Sequence, residues 1–123
     1  MNVSVSFPSG ARVLAELVTT RQDIERGLGR RSSVPDGTGM LFDMGRLFAH
    51  RFWMADTWVP LDMVFIEPKY RLVVGIVADA HPMDPTLVGV EAPSRYVLEV
   101  PGGWCARNGV AVGQRVEMVR LTG

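Results

Sequence analysis

The chain opens on apolar/polar alternation, with Val3, Val5 and Phe7 set between Asn2, Ser4 and Ser6. A period of two predicts a half-buried strand. Pro8-Ser9-Gly10 is a turn signal, and Ala11 to Val18 then places Val13, Ala15 and Leu17 on one face. The two segments predict an opening β-hairpin. Thr19-Thr20 stands before Arg21 to Arg26, with Gln or Asp three residues on, which predicts a capped helix. Gly27 and Gly29 end that helix after about two turns. So short a helix is unstable alone, so its apolar side must pack on a sheet.

Residues 32–39 are rich in turn formers and predict a loop. Met40-Leu41-Phe42 is a brief apolar run, and Gly45 to Ala49 reads as irregular. The segments 61–67 and 71–78 are β-branched and flank a turn containing Pro68, which predicts a second hairpin. Arg95 to Val100 reads as a strand, Pro101 to Gly109 as a helical turn, and Arg115 to Leu121 as a last strand. The expected fold is mainly β with one or two short helices (α+β), a compact antiparallel barrel or jelly-roll-like sandwich. The alternating βα pattern of a parallel sheet is missing.

Length and composition narrow the function classes. The 123 residues, 47% hydrophobic and 21% charged, predict one globular domain, 1–123. Thirteen basic residues balance thirteen acidic ones, so no basic excess points to nucleic acid. Cys105 is the only cysteine, which excludes an intrachain disulfide and a cysteine zinc cluster. No apolar run reaches the length of a membrane span. The N-terminus lacks the basic start and apolar core of a signal peptide, which predicts a cytoplasmic protein as written, with an exported form whose leader is removed as the alternative. Of the basic residues only Lys69 is not arginine.

Four motifs in order carry a resemblance: Glu25-Arg26-Gly27-Leu28-x-Arg30; Gly39-Met40-Leu41-Phe42; Phe52-Trp53-Met54-x-x-Thr57-x-x-Pro60-Leu61-Asp62-x-x-Phe65; and Tyr96-Val97-Leu98-Glu99-Val100-Pro101-x-Gly103-Trp104. Together they resemble the domain-of-unknown-function family 192 (DUF192, the UPF0127 group) over about 11–118. The resemblance implies a compact, mainly antiparallel β-domain of jelly-roll or barrel kind, and implies no activity. Members often carry an export signal. They usually have Asn where this chain has Asp56, and Met where it has Gly29. The first difference changes the charge of the most specific motif.

Two carboxylates invite chemistry. Asp62 opens a β-branched strand, where a carboxylate is costly to bury unless bonded or paired. It reads either as a base or ligand-binding group, or as an anchor held by backbone N–H groups or by Arg26 or Arg30. Glu99 lies on the face of Val97, and if it approached Asp62 the pair would supply the acid and base of a glycoside hydrolase or lyase. Arg26 and Arg30, four apart, need carboxylates or a ligand anion beside them. Trp53, between Phe52 and Met54, reads as core, whereas Trp58, beside Val59-Pro60, is the candidate for a ligand-facing ring. His50 and His81 lack the further donors of a metal site, and no nucleotide or nucleophile-elbow fingerprint is present, so neither metal nor cofactor is expected. Cys105 reads as packing.

The leading expectation is a non-enzymatic binding module for a small polar molecule, sugar or peptide, with Arg26, Arg30, Met54, Asp56, Thr57, Trp58 and Asp62 as ligand-binding residues. The alternatives are a small carbohydrate-active enzyme using Asp62 and Glu99, and a protein-interaction domain docking through an edge strand. Oligomeric state is left open.

Overall fold

The computed structural model describes residues 1–121. Strands β1 (Asn2–Ser6) and β2 (Arg12–Val18) form the expected antiparallel hairpin. Helix α1 (Arg21–Arg26) begins at Thr20, whose side-chain oxygen accepts from the Asp23 N–H at 3.2 Å, and ends at Gly27 at φ 48°. Strand β3 (Thr38–Phe48) follows, then the short β4 (Arg51–Phe52). Strands β5 (Leu61–Ile66) and β6 (Val73–Ala80) form the second hairpin. After the short β7 (Val88–Gly89) come β8 (Ser94–Pro101), helix α2 (Trp104–Arg107) and β9 (Glu117–Arg120).

The fold is mainly β with two short helices, but the sheet is mixed and is not a closed barrel. Seven strands run in the order β6-β5-β8-β3-β2-β1-β9, and β4 pairs with β7 in a separate small ribbon. The mixed character comes from one unit. Chain leaving β2 passes through α1 and returns as β3 alongside β2, parallel to it, with Leu14 opposite Thr38 and Val18 opposite Phe42. A βαβ crossover is the standard way to join parallel neighbours. At the far edges the ladder stops. The start of β6 is met instead by the segment before β9, through Val73 N–H to the Gln114 carbonyl and Val116 N–H to the Arg71 carbonyl, both 2.8 Å.

Residues 45–48 belong to β3 and are not irregular, although the pairing with β8 shifts between Asp43 and Phe48. The Asp43 carboxylate organises that bulge. It accepts both prongs of Arg95, at 3.0 and 3.2 Å, and the Gly45 N–H at 2.9 Å, while Gly45 itself takes φ 77°.

Side chains alternate across the sheet and build two cores. One face carries Leu41, Val64, Ile66, Leu98 and Val100, closed by Trp104 and Cys105 of α2. Phe7 packs against Trp104 with ring centroids 5.8 Å apart. The other carries Met40, Phe42, Met63, Phe65 and Val97, covered by Ile24 and Leu28 from α1 and its exit turn.

Candidate functional site

Register decides the fate of the two carboxylates. Asp62 pairs with Val100, and the next residue, Met63, pairs with Glu99. Neighbouring positions of one ladder point to opposite faces, so Asp62 and Glu99 lie on opposite sides of the sheet. The geometry needed for a cooperating acid/base pair is therefore not present.

Asp62 is 1% exposed and is bonded by backbone. Its Oδ1 accepts from Asp79 N–H at 2.8 Å and Gly103 N–H at 3.0 Å, and its Oδ2 from Cys105 N–H at 2.9 Å. Gly103 is the N-cap of α2 and has no side chain to cap with, so Asp62 supplies the missing acceptor from the neighbouring strand β5. Neither Arg26 nor Arg30 reaches it. Arg26 pairs with Asp23 at 3.3 Å, and Arg30 with Asp56 at 2.9 Å. The anchor reading of Asp62 stands on backbone donors, and Asp62 lies outside the cavity described below. Burial, with the Asp62 carboxylate next in effect, pushes the Cys105 thiol up to about 12, so no thiolate nucleophile is available there.

A cavity of about 750 Å³ opens on the face that carries Glu99. Alpha-helix α1 and its exit turn supply one wall, with Ile24, Arg26, Leu28 and Arg30. Phe42 and Met44 of β3 and Phe52 of β4 supply another. The loop after β4 adds Trp53, Asp56 and Thr57, and Leu87 closes the side before β7. Two backbone bonds hold these loops together: Met54 N–H to the Asp84 carbonyl and Met83 N–H to the Thr57 carbonyl, each 2.9 Å. Arg30 binds Asp56 twice, through its backbone N–H to the Asp56 carbonyl and through Nε to Oδ2, both 2.9 Å. Thus the helix motif and the Trp53–Phe65 motif meet at one rim.

Glu99 lines this cavity and is only 5% exposed. Burial pushes its carboxyl up to about 8, and among the described residues no cation or hydrogen bond holds the ionised form. A perturbed acid in a cavity is the usual mark of a site.

Of the expected site residues, Arg26, Arg30, Asp56 and Thr57 are brought together here, joined by Glu99. Met54 is buried in the core beside the cavity and does not line it, and Trp58 does not line it either. Trp53 takes the cavity-facing place expected of Trp58. Trp53, expected in the core, is 61% exposed and lines the cavity, while Trp58 is 52% exposed away from it. Strand alternation does not extend past Phe52 into the turn at 53–58, so neighbours in sequence no longer indicate a side. Phe52, Arg51 and Leu87 were not legible as site residues, because the ribbon of β4 with β7 is too short to leave a pattern. His50 is buried and its Nε2 donates to the Arg46 carbonyl at 3.1 Å, and His81 is exposed. Among the described residues, no group of three His, Cys, Asp or Glu is placed to hold a metal.

Gly39 sets the height of Glu99 in the site. A Cβ on Gly39 would collide with the Glu99 carbonyl oxygen and press on Val100 Cγ1 at 3.2 Å. Gly39→Ala is expected to push β8 away from β3 and to cost about 1–3 kcal/mol, the scale of overpacking. Urea denaturation checks this, and an unchanged midpoint contradicts it.

The site and the sheet define a small mixed-sheet domain with a ligand-sized cavity lined by a buried acid. The chain belongs to the family described as Uncharacterized ACR, COG1430 (DUF192), whose model matches residues 4–118. It is similar to a crystal structure of a protein of unknown function from Novosphingobium aromaticivorans, at 36% identity and TM-score 0.85, covering 95% of this chain and 84% of that one. It is also similar to a Sinorhizobium meliloti structure provisionally described as a transcription regulator, at 33% identity and TM-score 0.87, covering 95% and 92%. No curated protein matches it significantly.

Proposed function

We propose that the protein is a non-enzymatic binding module that holds a small organic molecule in the cavity over β3 and β8. The observation that carries this reading is Glu99: a buried carboxyl without a partner, in a cavity whose walls are mostly apolar. Pockets of roughly 300–1,000 Å³ with apolar walls and few polar groups are the common form of small-molecule sites. The walls shift the expected ligand from a wholly polar molecule toward one with an apolar body and a single hydrogen-bonding group. A carbohydrate-active pair finds no support, since Asp62 serves the backbone on the other face. A direct DNA-binding role, which the description of the Sinorhizobium relative would suggest, finds no support in a chain with 13 basic and 13 acidic residues.

Screening one-ring fragments by saturation-transfer NMR tests the reading. Binders are expected, and Met44→Trp, which fills the cavity, is expected to remove them. A screen in which no fragment loses its signal with Met44→Trp overturns it.

A further inference from the structure

We propose that the cavity selects an organic cation, an ammonium group on an apolar body, with the ammonium placed against Glu99; this rests on the binding-module reading above and narrows it to a ligand class. Glu99 is the buried ionisable group among the lining residues, and among the described residues no donor is hydrogen-bonded to its carboxyl. An ionised carboxylate only accepts hydrogen bonds, so its complement is a donor, and inside a low-dielectric cavity a charged donor is the strongest complement. Three aromatic side chains, Phe42, Phe52 and Trp53, line the same space. Phe42 and Phe52 meet edge to face with centroids 5.7 Å apart, an arrangement that turns one ring's electron-rich face away from the contact. Ring faces attract cations and repel anions, the same preference that the acid imposes.

The arginines at the rim do not reverse that preference. Arg26 is paired with Asp23 and Arg30 with Asp56, and Arg51 Nη1 donates to the Val90 carbonyl at 2.8 Å. Glu25 also lines the opening and is paired with Arg21 at 3.1 Å. The rim therefore carries both signs, while the buried group is an acid alone. An anionic ligand would lose its hydration and meet a carboxyl. A neutral alcohol would satisfy the hydrogen bond without the charge pairing. The expected order is ammonium, then alcohol, then carboxylate.

Benzylamine, benzyl alcohol and benzoate share one apolar body and separate these cases in calorimetric titrations. Benzylamine is expected to bind at least roughly tenfold tighter than benzyl alcohol, with benzoate weakest. Near neutral pH its binding must displace the Glu99 proton, so the heat is expected to vary with the ionisation enthalpy of the buffer. Its affinity is expected to rise with pH until Glu99 is ionised without ligand. Glu99→Gln is expected to abolish both the proton release and the preference for the amine, leaving benzyl alcohol within about twofold of its original affinity. Benzyl alcohol or benzoate binding as tightly as benzylamine, with signals that Met44→Trp removes, overturns the cation assignment and leaves the binding module standing. Amine binding that persists unchanged in Glu99→Gln overturns the placement. If none of the three binds, the cation assignment falls, and the fragment screen above decides the binding module.

Discussion

Glu99→Gln is expected to leave stability nearly unchanged in mild acid and to raise it by several kcal/mol above pH 8. The folded protein holds this carboxyl at about 8, against an ordinary 4.5 for an exposed glutamate, because burial disfavours the charged form. The folded-state value is raised, so the neutral acid's contribution is fully present below pH 4.5. As pH climbs from there toward 8, the unfolded chain gives up the proton and the folded chain keeps it. Stability therefore falls across that window, by an amount on the order of 5 kcal/mol at about 1.4 kcal/mol per pH unit. Glutamine keeps the shape, stays neutral and does not follow this decline. Urea denaturation of both proteins from pH 5 to pH 9 measures the divergence. Curves that stay parallel across the range would show that Glu99 is ionised in the folded state and comfortably solvated, and the site would lose its distinguishing group.

Asp62→Ala is expected to do the opposite, lowering stability by about 4 kcal/mol. Hydrogen bonds to a charged acceptor are worth about 1.5–3 kcal/mol each without being additive, and one buried N–H group, at Cys105, and two part-buried ones, at Asp79 and Gly103, would lose their acceptor together. Asp62→Asn retains one oxygen but turns an NH₂ group toward a backbone N–H, and is expected to cost about 2 kcal/mol. Because the donors are backbone, neither Arg26→Met nor Arg30→Met is expected to couple with either change in a double-mutant cycle. A loss below about 0.5 kcal/mol, as at an ordinary surface site, would overturn the anchor role. Two acids at adjacent ladder positions thus have opposite effects on stability, one holding the fold through its backbone hydrogen bonds and the other straining it whenever it ionises.

How much of this was legible in the sequence depends on the range of the interaction. Both hairpins could be read, because alternation and turn residues are local signals. The helix at 21–26 was legible for the same reason: Thr20 caps it from one residue away and Gly27 stops it. The parallel pairing of β2 with β3 was not, since 38–48 carries no mark of which strand it will lie beside. Expecting an antiparallel barrel followed from reading strand order as strand adjacency. The continuation of β3 past Gly45 was hidden because Asp43 and Arg95, 52 residues apart, stabilise the bulge. At the site, the four motifs contained most of the right residues, but proximity in a motif did not say which face a side chain takes. Asp62 and Glu99 differ by one register step, and that step separates an anchor from a cavity acid.

The pairing of β1 with β9 joins residues 3–6 to 117–120, nearly opposite ends of the sequence. During synthesis the hairpin of β1 and β2 can form almost at once, but its outer edge has no partner until residues 117–120 have left the ribosome. For that interval β1 offers a row of free N–H and C=O groups, backed by Val3 and Val5, the kind of edge that another nascent chain can join. Seating β9 covers the outer side of β1 and closes that edge.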